Sequence, residues 1–473
     1  MRRTRRTFRN DPDGLRLPVK LDTTTNGEFE PIPLSRVHAL ANETAMREAT
    51  RHARGLGISR REFLVSAAGT ATALLAMNAA YAAAGNTGGA FALAAAAAKD
   101  PELARAQLGR GGFIFDVQGH FVDPKRAQGF LGFPGATRAG VTKIEHLGAE
   151  QFVKDVFLDS DTDCMVLSFV PSTFAGEPLT IQEATACARI VEKLEGTRRL
   201  LIHGRVNPNQ DGDLARMDEL AERWKISAWK TYTQYGPDGR GYFLSDPPGI
   251  AMIDKARKLG IKVGCVHKGI PFGRQSYEHS LCDDVGVVAA RYPDVKFLIY
   301  HSGFVPGQAE GPYDPNRNEG VDSLVSSLGK NNVKPGSNVY AELGSTWRFL
   351  MRDPTSAAHA LGKLIKACGE DNVLWGTDSI WYGSPQDQID AFRAFEISAE
   401  LREKFGYAEL TPALKRKAFG LNAVKVYSLD QAALKKHLSG DTIDRARAAY
   451  AGAEDPLFAT YGPKTRQEWL DLA

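Results

Sequence analysis

The sequence predicts an α/β protein whose main domain, residues 112–428, is a (β/α)8 TIM barrel. Two observations support this: eight short apolar or β-branched runs alternate with segments of helical periodicity, and several runs end in His, Asp or another polar residue. Strands that alternate with helices favour parallel β/α units, and eight such units need ~250 residues or more. A doubly wound open sheet is the alternative, but no Gly-x-Gly-x-x-Gly follows the first run and the chain has no Walker loop, which disfavours its nucleotide-binding forms.

The predicted strands are 113–118, 164–169, 200–206, 226–231, 261–267, 296–301, 338–343 and 372–378. The predicted helices between them are 180–195, 212–225, 249–259, 282–291, 320–328, 354–368 and 386–400. Apolar residues recur at three-to-four spacing in these helices, as in Leu214, Met217 and Leu220. In a TIM barrel the active site lies at the C-terminal ends of the strands, so those ends are the candidate positions for chemistry.

The first predicted strand ends in three polar residues at a spacing of two, Asp116, Gln118 and His120. That spacing puts them on one face of a strand. The pattern predicts a buried strand that opens onto a site at its C-terminal end. Gln118 stands where the first residue of a His-x-His metal pair would be.

Other strand ends add to this set. The predicted fifth, sixth and eighth strands end on His267, His301 and Asp378, and Lys230 lies on the fourth. The chain has only ten His, so their placement at strand ends favours a shared site over separate structural roles.

Composition excludes several classes of protein. The 473 residues are 43% hydrophobic and 24% charged, with a formal net charge of +3, which is typical of a globular protein. Much of the Arg lies at the front and the chain has no basic stripe, so we expect no nucleic-acid partner. Five cysteines without a CxxC pair do not predict a disulfide scaffold.

The front of the chain resembles a twin-arginine signal. Ser59-Arg60-Arg61-Glu62-Phe63-Leu64 precedes a mildly apolar run that ends in Ala80-Tyr81-Ala82, a small-x-small cleavage pattern. We therefore expect export of the folded protein by the twin-arginine machinery, a periplasmic location and no membrane span in the mature form. A transmembrane anchor is the alternative, because the run approaches the ~20 residues that cross a bilayer.

The remaining segments are assigned by composition. Residues 1–58 form a polar leader predicted to be disordered in isolation, 59–84 the signal segment, and 85–111 an Ala-rich linker. Residues 429–473 form a helical tail with aromatic residues near its end, which we expect to dock on the barrel or on a neighbouring subunit.

Five motifs in order resemble the amidohydrolase superfamily, in the branch that includes aminocarboxymuconate-semialdehyde decarboxylase and resorcylate-type decarboxylases. The resemblance covers about residues 112–428. The motifs are Phe115-Asp-Val-Gln-Gly-His-Phe121, Gly264-Cys-Val-His267, Ile299-Tyr-His-Ser-Gly303, Leu374-Trp-Gly-Thr-Asp378 and the closing Gly420-Leu-Asn-Ala-Val-Lys-Val-Tyr427.

The resemblance implies one divalent metal ion, bound by Gln118, His120, His267 and Asp378, with His301 contacting the substrate or a metal-bound water. Imidazole and carboxylate ligands suit Zn²⁺, with Mn²⁺ or Fe²⁺ as alternatives. Gln118 departs from the family pattern, because an amide oxygen is a weak neutral ligand. Three outcomes stay open: weak ligation through Oε1, a position outside a three-ligand site, or a site that has lost its metal.

Further residues are candidates for the substrate pocket. Lys230 is interpreted as a substrate-binding cation, with a carboxylated bridging lysine or a snorkelling side chain as alternatives. Arg205 either clamps a carboxylate or forms an inner ion pair, for which Glu342 is a candidate partner. Trp381 is expected to line the pocket. The loops 232–246 and 302–319 are either a lid or an oligomer contact.

These inferences predict a hydrolase in which metal-activated water attacks an amide, ester or lactone of a small molecule. Asp378 would act as the base and His301 would polarise the substrate. One alternative is a non-oxidative decarboxylase of an aromatic or unsaturated acid, and another is a degenerate barrel that serves as a non-catalytic subunit. A homo-oligomer is expected.

Overall fold

The computed structural model describes residues 6–22, 24–25, 28–109, 112–121, 147–170, 180–195 and 199–470. Its strands are β1 (Gly89–Phe91), β2 (Phe115–Gly119), β3 (Cys164–Leu167), β4 (Leu200–Arg205), β5 (Ala228–Tyr232), β6 (Val263–His267), β7 (Lys296–Tyr300), β8 (Val339–Glu342), β9 (Val373–Leu374) and β10 (Phe395–Ile397). Strands β2 to β9 form one parallel sheet in chain order. The predicted (β/α)8 barrel is confirmed.

Backbone hydrogen bonds between β2 and the segment after β9 close the barrel. Val117 N donates to Trp375 O and Asp378 N donates to Gln118 O, both at 2.9 Å. The predicted strand 372–378 is therefore too long: regular pairing ends at Leu374, and Asp378 lies in an irregular segment beyond it. That segment still runs beside β2, which places Asp378 next to Gln118 and His120.

The α-helices surround the barrel and continue on both sides of it. They are α1 (Arg36–Leu56), α2 (Arg60–Val65), α3 (Ala67–Ala83), α4 (Pro101–Gln107), α5 (Ala149–Val153), α6 (Ile181–Glu195), α7 (Asp213–Arg223), α8 (Pro247–Lys258), α9 (Val285–Arg291), α10 (Val321–Lys330), α11 (Thr346–Leu350), α12 (Pro354–Cys368), α13 (Gln386–Ala394), α14 (Ala399–Phe405), α15 (Pro412–Arg416), α16 (Asn422–Val426), α17 (Gln431–Leu438), α18 (Thr442–Tyr450) and α19 (Arg466–Leu470).

One predicted helix is interrupted. The sequence predicts a helix over 386–400, but α13 ends at Ala394 and Phe395–Ile397 form β10. Strand β10 pairs antiparallel with β1, about 300 residues earlier in the chain. This distant pairing overrides the local helical periodicity because Phe395 and Ile397 are both buried in the ribbon.

The barrel interior is apolar below its mouth. Inward residues of neighbouring strands, such as Phe115, Val166, Cys265 and Leu298, pack into one cluster, which Val424 of α16 joins. The polar site is therefore confined to the other end of the barrel.

The front of the chain, predicted to be disordered in isolation, is helical over α1 in the folded protein. Four buried alanines at a spacing of four, Ala41, Ala45, Ala49 and Ala53, form one face of α1. Small residues at this spacing let helices approach closely, and α3 packs beside α1, itself almost wholly buried. Across the described ranges, no helix combines the length and apolar composition needed to cross a membrane.

Candidate functional site

The structure brings together five of the polar residues predicted at strand ends. Gln118 lies on β2 and His267 ends β6, whereas His120, His301 and Asp378 lie in the segments that follow β2, β7 and β9. All five side chains are buried. They form one connected polar cluster at the C-terminal end of the barrel.

The backbone at this cluster is strained. His301, Ser345 and Asp378 have φ values of 67°, 51° and 57°, a left-handed conformation that residues other than glycine rarely adopt. Such positions persist where the surrounding structure dictates them, and they concentrate at functional sites. Backbone strain at His301 and Asp378 therefore coincides with the polar cluster.

Three backbone carbonyl oxygens fix the tautomers of the site histidines. The pairs are His120 Nδ1 with Ser168 O (2.9 Å), His267 Nε2 with Ile270 O (3.1 Å) and His301 Nδ1 with Gly344 O (2.7 Å). Because a carbonyl oxygen only accepts, the histidine nitrogen in each pair carries the proton. In a neutral ring, the other nitrogen then presents a lone pair to the site.

Two of these nitrogens lie beside each other, and the third lies beside a carboxylate. His267 Nδ1 and His301 Nε2 are 3.2 Å apart, and His120 Nε2 is 3.0 Å from Asp378 Oδ1. Burial lowers the pKa of His301 to about 4 and that of His267 well below its usual range. Because these two rings are neutral near pH 7, their facing lone pairs repel unless a cation lies near them.

Asp378 is held as a carboxylate. Burial raises its pKa, but the hydrogen bond and charge of His120, with the charge of His301, outweigh burial and bring the pKa to about 2. Gln118 Nε2 donates to Asp378 Oδ1 at 2.9 Å, and the Ser345 hydroxyl donates to Oδ2. The site therefore contains one permanent negative charge beside three imidazoles.

Gln118 lies at the centre of the cluster. Its Nε2 is 3.5 Å from His301 Nε2 as well as 2.9 Å from Asp378 Oδ1. Its Oε1 is buried and has no hydrogen-bond partner among the described residues. The amide thus turns its nitrogen toward the carboxylate, and a half-turn would present the unpaired oxygen to a bound ion.

The donor set fits a divalent ion. Imidazole nitrogens and a carboxylate are the ligands expected for Zn²⁺, Mn²⁺ or Fe²⁺, and a cation near His267 and His301 would relieve the repulsion between their facing lone pairs. In the part of the chain that the structure describes, no three His, Cys, Asp or Glu side chains already surround a common point. Binding would therefore require small side-chain movements of His120, His267 and Asp378, the residues that would hold the ion.

Two buried carboxyl groups support the loops of the site. Glu342 accepts hydrogen bonds from His301 N (3.1 Å) and Gly344 N (2.6 Å), and burial raises its pKa well above the usual range. Asp116 accepts from the backbone of Gln118 (3.0 Å) and of Thr377 (3.1 Å), and burial raises its pKa to about 7. Both groups hold backbone that carries site residues.

Sequence reasoning missed two hydroxyl groups at the site. Ser345 donates to Asp378, and Tyr382 OH lies 2.9 Å from Ser345 Oγ. Both residues lie a few positions after a predicted strand, the seventh for Ser345 and the eighth for Tyr382. That position was the only feature of the sequence that could have identified them as site residues. Trp381 is buried, and its ring stacks on His120 with centroids 6.0 Å apart.

The two predicted substrate cations differ in their surroundings. Arg205 forms a buried ion pair with Asp213, with N–O distances of 2.7 and 3.2 Å. An inner ion pair was the predicted alternative to a carboxylate clamp, but its partner is Asp213 and not Glu342. Lys230 Nζ has no hydrogen-bond partner in the described ranges and lies 3.8 Å from the ring centroid of Tyr300. Burial lowers the pKa of Lys230 to about 8.

Comparison with known proteins gives a family match. The family model described as Amidohydrolase matches residues 155–429. A search of curated proteins found no match.

Three of the solved structures similar to the chain are described as follows. A 5-carboxyvanillate decarboxylase from Sphingomonas paucimobilis is 12% identical, with a TM-score of 0.41 over 68% of this chain and 100% of its own. An amidohydrolase from Burkholderia multivorans with bound zinc is 16% identical, with a TM-score of 0.40 over 67% and 100%. A Saccharomyces cerevisiae dihydroorotase in complex with 5-fluoroorotic acid is 12% identical, with a TM-score of 0.40 over 68% and 86%.

Proposed function

Because the chain belongs to the amidohydrolase family, we propose that it is a metal-dependent hydrolase that cleaves an amide, ester or lactone of a small molecule. The observation that carries the proposal is the cluster of three imidazoles and the Asp378 carboxylate at the barrel mouth. His267 Nδ1 and His301 Nε2 face each other at 3.2 Å, and His120 Nε2 lies 3.0 Å from Asp378 Oδ1, all in a buried site. Such a cluster is suited to holding a cation and costly without one.

A divalent ion held by His120, His267 and Asp378 would supply Lewis-acid chemistry and lower the pKa of water. His301 accepts a proton at Nε2 in the tautomer that Gly344 O fixes. Both oxygens of Asp378 already accept hydrogen bonds. We therefore propose that His301 shares the role of base with Asp378, and that it polarises the substrate only after gaining that proton.

The experiment is removal and return of the metal. Chelated protein should lose activity against a panel of amides, esters and lactones, and Zn²⁺, Mn²⁺ or Fe²⁺ should restore it. Activity that survives complete chelation would contradict the metal-dependent proposal. A protein without activity in both states would favour the non-catalytic subunit.

One observation favours decarboxylation as a second candidate. Lys230 is a buried cation whose Nζ has no hydrogen-bond partner in the described residues, and a substrate carboxylate would provide one. Release of carbon dioxide from hydroxybenzoates, without hydrolysis of the panel above, would support this candidate.

We also propose, from the sequence alone, twin-arginine export to the periplasm and assembly as a homo-oligomer. Cell fractionation tests the first proposal, and mass measurement in solution tests the second. Finding all of the protein in the cytoplasm would contradict export.

A further inference from the structure

The segment before α1 packs on the C-terminal end of the barrel. We call its described residues 18–22, 24–25 and 28–33 the strap. Most of the strap is buried, including Val19, Leu21, Thr25 and Phe29. It contacts the loops that follow β8 and β9, where the candidate site lies.

One anchor of the strap is on the β9 side. Lys20 Nζ lies 2.9 Å from Asp387 Oδ1 and donates to Ser384 O at 2.8 Å, and Lys20 N donates to Asp387 Oδ2 at 3.0 Å. Both side chains of the ion pair are at most 5% exposed. Ser384 and Asp387 follow Tyr382, so this anchor lies a few residues from the site.

A second anchor is on the β8 side. Asp22 Oδ1 accepts from Arg348 Nη2 at 3.1 Å, and the Arg348 guanidinium lies 5.5 Å from the ring centroid of Tyr382. Phe29 packs edge-on against Phe349 with centroids 5.2 Å apart. Both contacts fall on α11, the helix that begins immediately after Ser345.

The strap also acts on groups inside the barrel. Burial, the largest influence, lowers the pKa of Lys230 and raises the pKa of Tyr232 and of Tyr382, and the negative charge of Glu28 acts on all three in the raising direction. Glu28 is itself buried, like most of the strap, so its charge acts on these side chains at short range.

The C-terminal tail holds the strap from outside. Thr24 Oγ1 donates to Thr460 Oγ1 at 2.6 Å, and Thr25 N donates to Pro463 O at 3.1 Å. The same stretch of tail reaches the site, since Tyr461 N donates to Trp381 O at 2.9 Å. Strap and tail therefore form a double layer over the β9 side of the mouth.

Arg61, the second arginine of the predicted signal, links the segment just before the strap to the tail. It is fully buried. Its guanidinium lies 3.0 Å from Asp455 Oδ1 and 3.8 Å from Asp11 Oδ2, and 4.7 Å from the ring centroid of Phe458. Arg60, by contrast, is only half-buried and donates to Asp13 O at 2.8 Å.

We infer that the strap is a built-in cover of the active site, clamped by the tail and Arg61, and that the working protein keeps residues 18–82 instead of losing them by cleavage after Ala82. Such cleavage would remove the strap, α1, α2 and nearly all of α3, and with them the buried side chains of Phe63, Leu64 and Met77. The inference goes beyond the proposed function and does not depend on which reaction the site performs.

The two arginines provide a matched pair of variants. A twin-arginine signal requires both arginines, whereas the clamp contacts to Asp11 in the leader and to Asp455 in the tail are made by Arg61. Arg61→Lys should speed hydrogen exchange of backbone amides in the strap and in residues 455–463 about tenfold or more, the factor expected when hydrogen bonds to a charged group are lost. Arg60→Lys should leave that exchange within error. Equal exchange in the two variants would overturn the clamp.

A second measurement covers the case in which Arg61→Lys does not fold. A protease site inserted after Gly57, an exposed glycine between α1 and α2, allows the otherwise unchanged full chain to be cut. Fragment 1–57 should stay bound through gel filtration. Its dissociation, or an intact mass showing that the active native protein starts at residue 83, would overturn the inference. Hydrogen exchange, gel filtration and intact-mass measurements need neither metal nor substrate. Their results therefore test the strap independently of the proposed hydrolase activity.

Discussion

At the scale of single residues, the site depends on which atoms carry protons. Three carbonyl oxygens orient His120, His267 and His301 so that their free nitrogens meet inside the barrel. Sequence reasoning placed these residues correctly near strand ends because apolar runs and their polar ends are local signals. It did not place Ser345 or the tautomers, which depend on loop backbone that only the folded chain defines.

Gln118 is the residue whose substitution is most informative. Gln118→His should raise affinity for Zn²⁺, because an imidazole nitrogen replaces a weak amide oxygen near Asp378 and His301. Calorimetric titration of the metal-free protein measures the affinity. An unchanged affinity would place this side chain outside the ligand set.

At the scale of elements, the barrel strands were predictable and the β1–β10 ribbon was not. Strands such as β6 are short apolar runs between helices, so the sequence shows them directly. The ribbon joins Gly89–Phe91 to Phe395–Ile397. No local sequence pattern around residue 395 indicates a pairing partner so distant in the chain. The helix predicted over 354–368 has the bounds of α12, because its apolar face is continuous.

Two helical glycines should respond in opposite directions to alanine. A Cβ at Gly362 in α12 would lie 2.3 Å from the Tyr407 ring, whereas a Cβ at Gly329 in α10 would meet nothing within 4 Å. Gly362→Ala should lower the free energy of unfolding by about 1–3 kcal/mol through overpacking. Gly329→Ala should raise it by about 0.5–1 kcal/mol through helix propensity. Urea unfolding measures both, and a stabilised Gly362→Ala would refute the tight packing.

At the scale of the whole molecule, the two ends of the chain meet over the barrel. The polar composition of residues 1–58 predicted disorder in isolation, but composition does not show that Lys20 and Asp22 have buried partners more than 300 residues away. The tail was expected to dock on the barrel or on a neighbouring subunit. In this chain Tyr461 OH donates to Asp155 Oδ2 at 2.7 Å, beside the barrel.

This docking should depend on pH. Burial raises the pKa of Asp155 to about 6, although the Tyr461 hydrogen bond lowers it. A folded pKa above the unfolded value of 3.8 means that the folded state binds the proton first, so this group stabilises the fold below about pH 4 and loses that contribution as pH rises through about 6. Asp155→Asn should therefore cost more stability at pH 4.5 than at pH 8 in urea unfolding. An equal cost at both values would contradict this.

We propose that the cluster at the barrel mouth binds one divalent metal ion. The most direct measurement is the metal content of the purified full chain beside two variants, His267→Ala at the site and His359→Ala on α12. We predict about one ion per chain in the unaltered protein and in His359→Ala, and none in His267→Ala. An unaltered protein that binds no divalent ion even when one is supplied, or a His267→Ala protein that keeps its ion, would contradict it.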